Sequence, residues 1–394
     1  MSRRGGCDVA VVGAGMVGAA LALELARASF DVTVVEPRRP DPWRADDDVD
    51  LRVVALAPSS VDLFRRLGLW ESVVAARTCA FRRMCVWDAT APGGLAFDAA
   101  ERGESALGWI VENRLIQHVL WQALQAETRV RLRMNCGVAS IEVDDSRRTL
   151  ALDDGDTLCA QLVIAADGAD SALRAMLGIT TRDRAYGQRA IVAHVATERR
   201  HEFTAWQRFL PGATLAFLPL GDGRSSIVWS VPDAQAGRLL ALDDHDFCRE
   251  LGAAFDFRLG TITATSRRAA FPLRLRLAES YTAPRLALIG DAAHVVHPLA
   301  GQGVNLGLRD AAELAGILAA ARAQQRDFAA DYTLRRYERS RRSDDTLSAY
   351  AFDAIQRVFA SDSLPVAAVR GLGLGIVDRF APLKELFARH AAGR

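Results

Sequence analysis

The sequence predicts an α/β protein: a Rossmann-type nucleotide-binding domain, an inserted antiparallel β-sheet domain and a helical C-terminal region. Three observations predict it. A glycine fingerprint follows a short apolar run near the N-terminus. Alternating apolar and polar residues fill the stretch from about 187 to 275. A buried apolar run at 286–290 then precedes a mostly helical remainder.

Residues 8–12 (DVAVV) form an apolar run bounded by glycine, which reads as a buried strand, and 16–28 have the Ala/Leu composition of a helix. Residues 31–36 (DVTVVE) make the second strand of a βαβ unit. The Pro- and Asp-rich stretch 37–50 reads as a loop, and 59–68 as a helix ended by Gly68. Residues 107–126 look helical after a short strand. Asp153, Asp154 and Gly155 mark a turn, and 161–166 (QLVIAA) is a core strand leading into Asp167 and Gly168. Runs such as RAIVAHVAT, TLAFLPL and SSIVWSV are punctuated by Gly-Asp-Gly at 221–223, a hairpin signal, and 81–97 are expected to join that sheet. These textures assign 1–80, 98–186 and 276–345 to a discontinuous nucleotide domain. They assign 81–97 and 187–275 to a β-rich substrate domain, and 346–394 to a helical C-terminal segment.

The chain has 394 residues, half of them hydrophobic, enough for about two domains. A net charge of +1 supplies no global field to attract nucleic acid. The basic residues are almost all arginine, Lys384 being the single lysine. The six cysteines form no CxxC pair or zinc-like cluster, so buried thiols in a reducing compartment are expected. No signal-peptide pattern and no apolar stretch of about 20 residues appears, which implies a cytoplasmic protein whose membrane contact is peripheral.

Three motifs carry chemistry. In VVGAGMVGAALALELA, Gly13 permits a tight turn, Gly15 lets backbone approach a pyrophosphate, and Gly18 lets the helix pack on the strand. The helix N-terminus offers amides to phosphates, and Glu36, ending the next strand, can accept hydrogen bonds from an adenosine ribose. This motif alone does not separate FAD from NAD. The second motif, LVIAADGADSALR, contains Asp167, Gly168, Ser171 and Arg174. The third, LALIGDAAHVVHPLAGQGVNLGLRDAAEL, places Asp291 after a buried strand to take a ribityl hydroxyl. It then runs Pro298, Gly301 and Gly303 into a helix beginning near Val304. A glycine loop at a helix N-terminus would set amides beside the pyrimidine edge of a flavin and stabilise negative charge there.

Together these motifs resemble the FAD-dependent aromatic hydroxylases of the para-hydroxybenzoate hydroxylase type. More narrowly, the chain resembles the ubiquinone-biosynthesis hydroxylase family. Further matching stretches are LRVVALAPSSVDLFRRLGLW at 51–70, IVENRLIQ at 110–117 and FLPGATLAFLPLGDGRSSIVWSVP at 209–232. The resemblance covers essentially the whole chain, most specifically at 290–314. It implies non-covalent FAD with NAD(P)H as a transient reductant. Dioxygen adds at C4a of the reduced ring, and one oxygen atom passes to an electron-rich aromatic ring. It places Arg52 near the flavin, and Arg114 and Gln117 against the cofactor. Asp167 lies near the pyrophosphate, Asp291 on the ribityl chain, and Pro298 and Gly301 through Gly303, Val304 and Asn305 face the isoalloxazine. His297 and Pro298 are the candidates for the flavin face. The implied partner is a hydrophobic aromatic small molecule, most specifically a prenylated phenol of ubiquinone biosynthesis. Contact with the inner membrane surface, quinone-biosynthesis proteins or a second copy is compatible with it.

Other uses stay open at this stage. His294 and His297 suit proton handling or structural hydrogen bonding, the commoner use. Trp206, Phe209, Phe217 and Trp229 suit a pocket lining or ordinary core packing. The basic run 335–342 reads as a solvated helix face, and 364–389 as an amphipathic lid, a lipid- or partner-facing surface, or a segment packed on its own chain. A hydroxylase of a small soluble aromatic acid is the alternative on the same fold. A flavin halogenase would need a WxWxIP motif, whereas Trp206 is followed by Gln207, Arg208 and Phe209. A non-redox prenyl-binding escort protein would be expected to lose the flavin-facing loop, which this chain retains.

Overall fold

The computed structural model describes residues 5–90, 94–296 and 302–360. The chain enters through β1 (Gly5–Val12), α1 (Met16–Arg27) and β2 (Val32–Glu36). Then come β3 (Val53–Leu56), α2 (Pro58–Arg66), α3 (Trp70–Ala76), β4 (Thr78–Phe81), β5 (Arg83–Asp88), β6 (Gly94–Asp98) and β7 (Gly108–Glu112). α4 (Asn113–Ala126) leads to β8 (Val130–Met134), β9 (Val138–Val143), β10 (Arg148–Leu152) and β11 (Thr157–Ala165). After α5 (Ala172–Met176) follow β12 (Thr181–Thr197), β13 (Thr204–Leu210), β14 (Ala213–Pro219) and β15 (Ser225–Pro232). Next are α6 (Asp233–Ala241), α7 (Asp244–Ala254), β16 (Ile262–Thr265) and β17 (Ala269–Ala278). The chain returns through β18 (Thr282–Ala283), β19 (Leu286–Leu288) and β20 (His294–Val295) to α8 (Gln302–Ala323) and α9 (Asp331–Ala360).

The first sheet runs in the order β18-β19-β11-β1-β2-β8, with the β9–β10 hairpin beside β11. Its central strands are parallel: Val9 pairs with Leu162 and Val32, Val34 with Leu132, and Ile164 with Ala287. Parallel strands covered on both faces need near-continuous apolar sequence, and Val9, Ala10 and Val11 are wholly buried. α1 is buried almost all round, through Ala19, Ala20, Leu21, Ala22 and Leu25, because α4 and α8 also pack on it. The carboxyl ends of β1, β2, β11 and β19 therefore meet at one edge of the sheet. In open α/β sheets that edge is where ligands bind.

The second sheet has the order β20-β17-β12-β15-β14-β13-β5-β6, with β16 also on β12. It contains the hairpin predicted around 221–223, pairing Leu218 with Ser226, and β5 and β6 from the 81–97 region. Alternation assigns its two faces. Ile191, Phe217, Trp229 and Trp87 form a core with Phe247, Leu251 and Phe255 of the α6–α7 region. On the opposite face, Ala205, Leu218 and Val228 pack on Val53, Phe81 and Ile110.

Those last residues belong to a third sheet, β3-β7-β4, that the sequence did not announce. It also corrects the helix expected from 107: Gly108–Glu112 is strand, paired with both β3 and β4, and the helix begins only at Asn113. β12 runs across residues 186 and 187 with a bulge between Ala185 and Arg189, and α9 continues unbroken through residue 346.

Candidate functional site

The site is built from the strand ends. Gly13 leaves β1 with φ +104°, and its amide donates to the Val35 carbonyl at 2.8 Å. A Cβ there would lie 2.3 Å from the Ala166 carbonyl oxygen, and one on Gly18 would lie 2.1 Å from the Gly13 carbonyl oxygen. Both positions are closed by protein, so only glycine fits. Gly15 differs: a Cβ there would meet nothing within 4 Å. It is the N-cap of α1, which has no side-chain cap and no acid in its first turn. The first-turn amides and the positive helix end thus face a cradle of protein-free space, which suits a pyrophosphate.

At the end of β2, Glu36 accepts from the Ala14 amide at 2.6 Å and from the Arg38 amide at 3.1 Å. Past the end of β11, Asp167 Oδ2 accepts from the Leu173 amide at 3.1 Å, while its buried Oδ1 has no hydrogen-bond partner. An orphaned buried acceptor at the mouth of a ligand crevice invites a hydroxyl donor. Past β19 comes Asp291. Its side chain is open to solvent although protein rings it closely, as at the floor of a crevice. Burial pushes its carboxyl above the ordinary range, and the cations of His294, Arg52 and Arg274 pull it partly back. Gly13, Gly15, Gly18, Glu36, Asp167 and Asp291, spread over nearly the whole sequence, thus share one edge of one sheet. The open space beside Gly15 and the unpaired Asp167 oxygen both fit an FAD.

Arg174 of the second motif has a role that its sequence context does not show. Its buried guanidinium donates to the Ala169 and Ala292 carbonyls, both at 2.8 Å, and so ties the loop after β11 to the segment bearing Asp291. Arg52 is exposed, with its guanidinium 5.4 Å from the Phe271 ring centre. Its positive charge helps to hold down the Asp291 carboxyl against burial. Arg114 donates to the Pro42 carbonyl and pairs with Asp47 at 3.6 Å, so in this structure it braces the 37–50 loop. Gln117 lies one turn further along α4 and is half-buried. That loop has a second brace the sequence did not show: Glu112 accepts from the Asp50 amide at 2.6 Å and pairs with Arg77 at 2.9 Å.

Gly303 and Val304 stand in the first turn of α8, half-buried, and a Cβ on Gly303 would meet nothing within 4 Å. The Asn305 side chain points into protein. It accepts from the Ala57 amide and the Ser60 hydroxyl and donates to the Ala55 carbonyl, pinning α8 to the β3–α2 turn. His297, Pro298 and Gly301 lie outside the described residues, as does 364–389.

His294 has the structural use: it is buried and bonds Asp310 at 2.6 Å. Phe217, Trp229 and Trp206 pack toward α6 and α7, and Phe217 stacks on Phe255 at 3.8 Å. Phe209 lies on the other face with Met84, Val86 and Leu95. The described residues include no helix long and apolar enough to cross a membrane.

Residues 6–346 match a family model described as FAD binding domain. The chain is 39% identical over 386 residues to 3-demethoxyubiquinol 3-hydroxylase of Escherichia coli, covering 98% of each chain. It is 38% identical to ubiquinone hydroxylase UbiL of Rhodospirillum rubrum, covering 98% of this chain and 89% of that protein. Against human mitochondrial ubiquinone biosynthesis monooxygenase COQ6 the identity is 33%, over 96% of this chain and 91% of the relative. Among solved structures, Pseudomonas aeruginosa PqsL in complex with 2-aminobenzoylacetate superposes with a TM-score of 0.76 at 24% identity, covering 91% of this chain and 97% of that one. The p-nitrophenol 4-monooxygenase PnpA of Pseudomonas putida gives 0.76 at 19%, covering 97% of both. These two show the shared fold.

Proposed function

The chain belongs to the family of FAD-dependent ubiquinone-biosynthesis hydroxylases, and on that premise we propose that it hydroxylates the ring of a prenylated phenol intermediate of that pathway, using NAD(P)H and O2. It is a flavin-dependent aromatic monooxygenase. The observation that carries the substrate reading is the near full-length identity to an enzyme named for hydroxylating a demethoxyubiquinol.

When bound, FAD supplies the redox chemistry and the activation of oxygen. The residues supply binding and placement. Gly15 and the α1 amides hold the pyrophosphate, and Glu36 accepts from the adenosine ribose. Asp167 lies near the pyrophosphate, and Asp291 accepts from a hydroxyl of the ribityl chain. The first turn of α8, with Gly303, Val304 and the Asn305 backbone, presents amides that favour negative charge on the reduced ring. Arg52 adds a cation whose field reaches Asp291. Arg114 and Glu112 act one step back by fixing the 37–50 loop.

The second sheet, 81–97 with 187–275, is the substrate part in this reading, and its Phe209–Val86–Leu95 patch suits an aromatic or prenyl group. A prenylated substrate resides in lipid, so the enzyme would meet the membrane peripherally. The test is deletion of the gene followed by identification of the quinone intermediates. Accumulation of a prenylated phenol lacking one ring hydroxyl supports the proposal. An unchanged quinone pool removes it.

A further inference from the structure

Asp310 lies in α8, outside every motif position that faces the crevice, and is completely buried. Its carboxylate takes three donors from two separate parts of the chain. The Gly290 amide donates at 2.9 Å, His294 Nε2 at 2.6 Å and Arg341 Nε of α9 at 2.7 Å. Arg341 also grips buried Asp345 at 2.5 Å, and Asp345 lies 3.4 Å from His294 Nε2. One turn before Arg341, the Tyr337 hydroxyl donates to the carbonyl of Leu288, the last residue of β19.

These bonds converge on one short segment. Gly290 and His294 bracket Asp291, and both hang on the same carboxylate. The strand that feeds the segment is held by the same helix that supplies Arg341. A histidine and two carboxylates within 4.8 Å of one another also resemble a metal site. The Arg341 guanidinium already bonds both carboxylates, which makes the cluster a buried ionic core. Burial works against the Asp310 charge, yet the cations of His294 and Arg341 hold its carboxyl below the ordinary range. A charged acceptor with three fixed donors is a rigid anchor.

We propose that Asp310 is the positioning residue for the flavin half of the cofactor site: with Arg341 and His294 it clamps the 290–294 segment and thereby sets where Asp291 presents its carboxylate. It touches no cofactor atom in this role. The inference rests on the reading of Asp291 as a cofactor ligand. It also makes α9, remote from the glycine fingerprint, a determinant of cofactor affinity.

The experiment compares affinities of the apoprotein for FAD and for ADP, which addresses only the Gly13–Glu36 half. Hydrogen exchange is followed in the peptide spanning 288–296. Asp310→Asn keeps the volume and removes the charge. It should weaken FAD by roughly tenfold or more, the loss of a charge-assisted hydrogen bond, with ADP affinity unchanged. Exchange at the Gly290 and His294 amides should accelerate. Arg341→Lys, which keeps the charge but loses the fork, should show the same selectivity with a smaller loss, and stands in if Asp310→Asn does not fold. Parallel loss of FAD and ADP, or no loss of either, overturns the proposal. Asp291→Ala serves separately: if it binds FAD as the wild type does, the ligand assignment of Asp291 fails, and the clamp's purpose with it.

Discussion

The Glu36 carboxylate accepts a 2.6 Å hydrogen bond from the Ala14 amide, joining the end of β2 to the glycine turn after β1. The acid therefore shapes the nucleotide cradle before any ribose arrives, and its remaining lone pairs are aimed by that bond. Glu36→Gln keeps the shape but replaces a charged acceptor with a neutral amide. Hydrogen bonds to charged groups contribute about 1.5–3 kcal/mol, so FAD affinity should fall roughly ten- to a hundredfold in fluorescence titrations of the apoprotein. Unchanged affinity would remove Glu36 from the site.

Gly15→Val separates fold from function. Gly15 has φ −63° and open space at its Cβ position, so valine should be accepted by the protein itself. The purified variant should fold yet be colourless, whereas wild type should be yellow and release its flavin on acid precipitation. Gly18→Val, whose Cβ would collide with backbone, should lose both the flavin and the fold. Full flavin occupancy in Gly15→Val would show that the fingerprint serves packing alone.

At the α8 N-terminus, a Cβ on Gly303 likewise would meet no protein atom within 4 Å, so Gly303→Leu begins in open space. If the first-turn amides support the reduced ring, hydroxylated product per NAD(P)H should fall by roughly a hundredfold, since one charge-stabilising donor is worth about 2.7–4 kcal/mol. Some FAD should stay bound through the distant glycine fingerprint. Normal occupancy together with normal coupling would mean that this end of α8 does not face the flavin.

The ionic core predicts a pH dependence of stability. Burial opposes the His294 cation, but Asp345 and Asp310 outweigh it and raise the imidazole to about 9. A folded value above the unfolded one gives stability that is complete below about 6.5 and lost as pH rises through about 9, by at most roughly 3 kcal/mol. Asp345, pushed up by burial to about 7, acts in the same direction at lower pH. Urea midpoints should fall between pH 6.5 and 9.5 in wild type and stay flatter across that window in His294→Gln. Equal slopes would show that His294 is not held as a cation.

The glycine turn after β1 was legible because its geometry is local. A glycine that must reach φ +104° or let a helix touch a strand announces itself within one turn of sequence. The β3-β7-β4 sheet was not legible, since short strands far apart in the chain carry no pattern until they pair. Trp206, Phe217 and Trp229 were read as either pocket or core, because alternation tells which residues share a face but not which face meets the crevice. The resemblance sets Asn305 beside the flavin with its neighbours, yet its side chain turns to Ala55, Ala57 and Ser60, some 250 residues back. The Asp310 cluster joins Gly290, His294 and Asp310 of the third motif to Arg341 of a basic run that reads as a solvated face, and neither stretch shows that the two meet.

The most direct measurement of the central claim is oxygen-isotope labelling. Purified protein with FAD, NAD(P)H and a prenylated phenol is incubated under ¹⁸O₂, and the product is weighed by mass spectrometry. The account predicts one labelled oxygen atom on the ring. NAD(P)H consumption without labelled product from any prenylated phenol tested, alongside efficient labelling of a small soluble aromatic acid, would contradict it.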